Sequence, residues 1–468
     1  MKLKFKSLGV IAFLSLYMVS CKKDLQQANQ LTQELKVDET KISKRPETPE
    51  EKELVANLSK TTDILKEVYK SKDALKEVNA SIAAKAYTDE SILIAELIYP
   101  NTGVLGESKK FKELCAKHNI TYGSFAKLFW AEVAKKNDPS YKAFLENLKE
   151  DIVKFAPNSS AGNYRTNSEG GTGASIYFPY QNEFIDPNDP GGGRGGYTFG
   201  GIVTIVTATA DADEGIGERS VFDANGNVVG FVPVVVNDDY AYNNPTHIIG
   251  LNGIQPYEPN QYTPYSVFPP GGPIDIPNLP RTVKQVYVGE VRVSHQYDRL
   301  ISFTLNGGGS EIKFTRGDGY LKLADGQVQA DVLMVNGKPE HTRGDIRKKR
   351  WLEWSAAWDE DWEVNNFEQF LAIYEDDNAN SGSLNFSLKT TASVVVPGTP
   401  PVTIGAERNI GGVINYKSND AIIKQTVYKH DVFFPLNRTD LEGEWRNSWP
   451  VRDKNGGVSF TFLDRTMF

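Results

Sequence analysis

Thr48-Pro49-Glu50-Glu51-Lys52-Glu53-Leu54-Val55-Ala56-Asn57-Leu58, continued by Thr61, Leu65, Val68, Lys72, Leu75, Asn79 and Ile82, is the stretch on which the fold reading turns. Thr48 with Glu51 forms a capping box, and Pro49 takes the first helical position, where its missing N–H costs nothing. The apolar and small polar residues then recur at alternating three and four positions, which predicts one long amphipathic helix with a partly polar seam. Such a seam packs on neighbouring helices. Asp89, Ser108, Ser124 and Asp138-Pro139 read as further helix starts, the last leading into Phe144, Leu145, Leu148 and Ile152. About five helices are therefore expected over residues 48–157, an N-terminal bundle that serves as a spacer or binds a partner.

Beyond residue 157 helical periodicity gives way to Gly, Pro, Asn, Tyr and Thr. Residues 158–283 read as a Gly/Pro-rich linker and antiparallel β region. Ile176 to Tyr180 is one strand candidate, and Ile202 to Ala210, Arg219 to Phe222 and Val228 to Val236 are three more. The last two are joined by the turn Asp223-Ala224-Asn225-Gly226-Asn227. If the three form a meander, Asp211, Asp213 and Glu214 fall at the same sheet end as Asp238 and Asp239. Five carboxylates so close repel one another unless a cation neutralises them, and oxygen-only ligands suit Ca²⁺. The competing chemistry is a peptide- or glycan-directed hydrolase using Glu214, Asp238 or Asp239. Gly191 to Gly196 satisfies G-x-G-x-x-G, but a strand rather than a helix follows it, so it is no dinucleotide site.

Residues 284–468 read as an antiparallel β-sandwich. Strands are expected at Val286 to Ser294, Leu300 to Asn306, Glu311 to Thr315 and Phe367 to Glu375, with turns at Gly307-Gly308-Gly309, Gly317-Asp318-Gly319 and Asn378 to Gly382. Asp359 and Asp361 precede the strand Phe367 to Tyr374, and Asp376 and Asp377 follow it. This arrangement resembles C2-type β-sandwiches over about a hundred residues, and the resemblance implies Ca²⁺ held by acidic loops: Asp359 or Asp361 in the first, Asp376 with Asp377 in the later one. Trp351, Trp354, Trp358 and Trp362, at spacings of three and four, suit a short helix face. They read as core, with sugar stacking as the functional alternative. Arg316-Gly317-Asp318 and Arg343-Gly344-Asp345 repeat a tripeptide of integrin ligands, although Gly-Asp is also ordinary turn chemistry.

The N-terminus sets the location. Lys2, Lys4 and Lys6 precede an apolar run, Leu8 to Tyr17, too short to span a bilayer. It ends in Met18-Val19-Ser20-Cys21, which resembles the lipobox of bacterial lipoproteins, with Met18 in place of the usual Leu. The resemblance implies removal of the signal peptide 1–20 and acylation of Cys21, a stable membrane anchor. Residues 21–47 then read as a tether. Lys22 rather than Asp follows Cys21, which favours the outer membrane over inner-membrane retention, on either its cell-surface or its periplasmic face.

Composition bounds the partners. Net charge is −8, and only Cys21 and Cys115 are present, so no disulfide forms within the mature chain. Cys115, near Phe111, Leu114 and His118, reads as buried filler. Residues 22–156 are nearly balanced in charge while the rest carries roughly a dozen excess acids, which argues against nucleic acid as a partner. No P-loop, H-E-x-x-H or G-x-S-x-G occurs, and the five His residues lack zinc-ligand spacing. The chain thus reads as a multidomain α-then-β lipoprotein, similar in general organisation to the multidomain outer-membrane lipoproteins of Gram-negative bacteria. It is expected to bind a protein or glycan rather than to catalyse, or else to serve as a structural accessory of an outer-membrane complex.

Overall fold

The computed structural model describes residues 35–87, 90–154, 173–185, 199–251, 283–304, 307–324, 327–335, 340–362, 367–375, 381–396, 402–417, 422–439 and 442–467. The signal segment, Cys21, Asp89, the Gly191–Gly196 loop, Asp376 and Asp377 lie outside the described residues. Helices concentrate in the N-terminal part and strands in the C-terminal part, in sheets that are mostly antiparallel.

The opening helix is two helices. The capping box forms as expected: Glu51 N donates to Thr48 Oγ1 at 3.2 Å, and Thr48 N donates to Glu51 Oε2 at 3.1 Å. The first helix, α1 (Pro49–Val68), stops at Tyr69, and α2 (Lys72–Ala83) starts behind Ser71, whose hydroxyl accepts from Ala74 N. Ser71 offers the backbone amides an alternative to continuing the helix, which propensity alone does not reveal. Helices Lys109–His118, Ser124–Lys136 and Pro139–Asn147 follow, with Ser108 and Asp138 as caps and Gly123 in place of Ser124.

These helices lie on a sheet. In chain order the strands are β1 (Ile42–Lys44), β2 (Ser91–Leu93), β3 (Ala174–Tyr177), β4 (Thr204–Thr207), β5 (Asp211–Ala212), β6 (Glu214–Phe222), β7 (Val228–Asn237) and β8 (Thr246–Leu251). Six of them form one sheet in the order β2-β3-β8-β4-β6-β7, antiparallel except for the parallel β4–β8 pair. Leu58, Leu65, Val68, Leu75 and Ile82 from the helices share one core with Ile176, Ile205 and Ile248, and with Leu300, Ile301 and Phe303 from much later in the chain.

The polar seam residues have specific partners in this core. Asn79 Nδ2 donates to Phe199 O at 2.6 Å, which turns Asn79 Oδ1 toward His247 Nε2 at 3.0 Å. His247 Nε2 therefore carries the proton, and Nδ1 accepts from Tyr69 OH at 2.8 Å. Burial pushes the His247 pKa down to about 3, so the ring is neutral. Thr61 Oγ1 bonds Tyr141 OH at 2.9 Å, and Thr207 Oγ1 donates to Thr62 Oγ1 at 2.6 Å. The end of the expected tether is folded too: β1 pairs with β5, and Asp213 N donates to Lys41 O at 3.0 Å.

The C-terminal part holds β9 (Val283–Val293), β10 (Ser310–Ala324), β11 (Gln327–Met334), β12 (Glu340–His341), β13 (Leu352–Trp362), β14 (Glu368–Glu375), β15 (Ser381–Val396), β16 (Val402–Lys417), β17 (Lys424–Lys429), β18 (Trp445–Arg446), β19 (Trp449–Arg452) and β20 (Val458–Met467). One sheet has the order β11-β10-β14-β17, with β12 on β10, and the other β13-β9-β20-β19-β18. A single core is filled from both: Val288, Val291, Phe460 and Phe462 from one, Ile312, Phe314, Leu371 and Ile373 from the other. The hairpin β15–β16 forms an outer layer over β14, where Phe386 stacks on Phe370 at 4.7 Å.

Three expectations are corrected here. Trp354, Trp358 and Trp362 lie on a strand, where spacings of four also keep one face, and all three are buried in the inter-sheet core. Gly317 and Asp318 are inside β10, not in a turn. Glycine is required at 317 because a Cβ there would meet the Phe386 ring at 2.4 Å. Residues 300–304 form no strand; they are held by the β-bridge of Ile301 to Ala212, by Leu251 N donating to Ser302 O at 3.0 Å, and by Asp211.

Candidate functional site

The acids at the β6–β7 hairpin do share one end of the sheet, since Glu214 pairs in register with Asn237. They do not share a site. Asp211, 3% exposed, accepts from Ser302 Oγ and Phe303 N, both at 2.9 Å, and from Thr304 Oγ1. Asp213 pairs with Arg299 at 2.6 Å, and Glu214 Oε1 accepts from Asp38 N at 2.9 Å. Asp238 lies at the start of helix α3 (Asp238–Asn243) and meets two cations from helix α4 (Arg343–Arg347): Arg343 Nη1 at 2.9 Å and Arg347 Nη1 at 3.1 Å. Tyr180 OH donates to Asp238 Oδ2, the oxygen that Arg347 also contacts, at 2.6 Å, and Asp239 pairs with Arg347 at 2.6 Å. The charge that an acidic cluster needs is supplied at Asp238 by guanidinium groups more than a hundred residues away, beyond the reach of local sequence reading. Among the described residues no group of three or more His, Cys, Asp or Glu side chains is placed to hold a metal ion.

The second acidic group is also rearranged. Asp359 lies within β13 rather than in a loop, and it is buried. Arg316 reaches it from the opposite sheet, Nη1 to Oδ2 at 3.1 Å, while Nη2 pairs with buried Asp318 at 2.9 Å. Gln369 donates to the same carboxylate and Asp361 N donates to Oδ1 at 2.9 Å. Desolvation raises the Asp359 pKa, with Arg316 opposing it. In both Arg-Gly-Asp tripeptides the arginine is committed to the interior: Arg316, with Asp318, here, and Arg343 bonded to Asp238, Gly308 O and Asp298 O.

Three buried glutamates that the sequence reading passed over hold backbone. Glu77 accepts from Gly123 N and Phe125 N, both at 2.8 Å, at the start of helix Ser124–Lys136. Glu96 accepts from Val104 N at 2.8 Å, and Glu90 from Tyr180 N at 3.0 Å and Asn182 N at 3.3 Å. Burial raises the pKa of all three, that of Glu90 to about 7. Cys115 is half-buried, and burial lifts its thiol to about 11, far from a nucleophile.

Among the described residues, one surface that groups exposed aromatic and arginine side chains is the edge of the sheet β13-β9-β20-β19-β18. The hairpin β18–β19 turns through Asn447 and Ser448, at φ of 46° and 72°, a two-residue turn with both residues left-handed. It displays Trp445, 45% exposed. Arg438 stacks on Trp449 at 4.1 Å. Arg292 and Arg446 flank Trp351 at 4.6 and 5.4 Å, and Arg446 is held by Glu290 at 2.7 Å. Beside the hairpin opens a cleft of about 180 Å³ whose lining includes Tyr428, Glu442, Pro450, Arg452 and Asp453. The readable signal for this region was Trp-Arg-Asn-Ser-Trp, two aromatics bracketing a turn dipeptide. Comparison with models of protein families, with curated proteins and with solved structures finds no match to this chain.

Proposed function

We propose that the chain is a lipid-anchored protein of the bacterial outer membrane that acts by binding. In this reading Cys21 carries the acyl chains, the helix-on-sheet part stands next to the tether, and the two C-terminal sheets form a β-sandwich that presents the contact surface. The observation that carries it is the β18–β19 hairpin, which displays the exposed indole of Trp445 and carries Trp449, stacked by Arg438, and Arg446, which lies over Trp351. Aromatic residues and arginine are the types enriched at contact surfaces. The binding reading is preferred to the hydrolase alternative because Glu214, Asp238 and Asp239 are each engaged by a backbone amide or a guanidinium.

The test is co-sedimentation of the chain lacking residues 1–21 with isolated cell envelopes. The proposal expects retention, weakened when Trp445 and Trp449 are both replaced by alanine. Equal retention of that variant would contradict it. Protease shaving of intact cells then assigns the face of the membrane.

A further inference from the structure

Most arginines drawn into the interior of this protein meet a carboxylate: Arg316 has Asp318 and Asp359, and Arg343 has Asp238. Arg452 has none within ion-pair distance among the described residues. Its guanidinium carbon sits 5.1 Å from the Phe433 ring centre, 5.4 Å from Tyr428 and 5.7 Å from Phe462. Its Nη2 donates to Asn437 Oδ1 at 2.9 Å, and its buried Nε has no partner. Burial lowers its pKa from the usual arginine value, with Tyr428, Glu442 and Asp464 at longer range opposing it. A desolvated cation with no carboxylate in direct contact is costly, and an anion brought to it recovers part of that cost.

Arg452 lines the cleft beside the β18–β19 hairpin. The neighbouring carboxylates each have a closer partner. Lys424 pairs with Asp453 at 3.1 Å, and Glu442 accepts from Asp453 N at 2.9 Å and Lys454 N at 2.5 Å. We propose that this cleft binds the carboxylate of a sugar acid, a uronate unit, with Arg452 as its anchor.

The surroundings narrow the ligand to that class. Glu442 and Asp453 on the cleft wall repel a phosphate dianion more than a monoanionic carboxylate. Thr426, Thr439 and Tyr428 supply hydroxyls for a polyol, while Leu436, Pro450 and Val451 supply an apolar surface for a ring face. At about 180 Å³ the space is below the roughly 300–1,000 Å³ of drug-sized pockets and matches one sugar unit. A planar guanidinium engages a carboxylate through two parallel hydrogen bonds, which an ammonium does not.

This inference rests on the binding reading and gives its ligand a chemistry. The experiment is calorimetric titration of the full chain with glucuronate, glucose and inorganic phosphate. Saturable binding of glucuronate with no binding of glucose is expected. Arg452→Met, which puts an apolar side chain among the three rings, is expected to fold and to bind glucuronate at least tenfold more weakly. Arg452→Lys keeps the charge and serves if the Met variant does not fold; it too is expected to bind at least tenfold more weakly. Undiminished binding by the variant that folds, equal binding of glucose, or tighter binding of phosphate than of glucuronate overturns the proposal. So does no binding of glucuronate at all, and in that case envelope co-sedimentation still reports separately on the binding reading.

Discussion

Replacing Asp211 with alanine tests whether the acids after β4 build the fold or wait for a metal. Asp211 is buried and accepts three hydrogen bonds from one later segment: Ser302 Oγ and Phe303 N at 2.9 Å, and Thr304 Oγ1. That segment carries Leu300, Ile301 and Phe303 into the first core. A hydrogen bond to a charged group contributes roughly 1.5–3 kcal/mol, and losing the acceptor leaves the amide of Phe303 unpaired at about 1–3 kcal/mol. Because the three bonds are not additive, Asp211→Ala is expected to cost about 3–5 kcal/mol, and Asp211→Asn, which keeps one acceptor oxygen, about half as much. Urea unfolding followed by circular dichroism measures both. The expected order is wild type, then Asn, then Ala, with the same differences in millimolar Ca²⁺ and in EDTA. A cost below about 1 kcal/mol for the alanine variant would refute the structural role. A wild-type advantage present only with Ca²⁺ would return Asp211 to the metal ligands.

Three further outcomes are expected. Glu90 has a folded-state pKa of about 7 against an ordinary 4.5, because it is buried. The folded chain keeps a proton that the unfolded chain releases between those values, so its stabilising effect is full below pH 4.5 and is lost as pH rises through 7. The loss is about 3 kcal/mol by linkage, and Glu90→Gln should flatten that part of the pH–stability curve; an unchanged slope would count against it. Trp362→Ala, in the inter-sheet core, should destabilise by about 3–5 kcal/mol, whereas Trp445→Ala should stay within about 0.5 kcal/mol, and comparable losses at both positions would show that the exposed indole is structural. Iodoacetamide should leave Cys115 largely unmodified at pH 7, with its thiol held near 11 by burial; rapid labelling in the native state would contradict that placement.

Local signals were legible and their tertiary use was not. The capping box at Thr48, the Asp138 cap and the Asp223 turn each depend on residues a few positions apart, and all three form. The β6–β7 hairpin follows from the valine run and that turn. The polar seam of α1 and α2 was visible, but its partners, His247 and Tyr141, lie far along the chain. The acidic clusters failed for the same reason, since Arg343 and Arg316 have no local mark distinguishing them from surface arginines. Trp354, Trp358 and Trp362 were placed in the core correctly but on the wrong element, because a spacing of four fits a strand face as well as a helix face, whereas Trp351 lies outside that core, half-buried beside Arg292 and Arg446. The hairpin pair of exposed Trp445 and half-buried Trp449 was overlooked beside the denser run at 351–362.

Attachment through Cys21 is measured by metabolic labelling with a palmitate analogue combined with membrane fractionation of the wild type and Cys21→Ser. A labelled wild type in the outer-membrane fraction and an unlabelled variant that is no longer held there are expected. Equal membrane retention of the unlabelled variant would contradict that attachment.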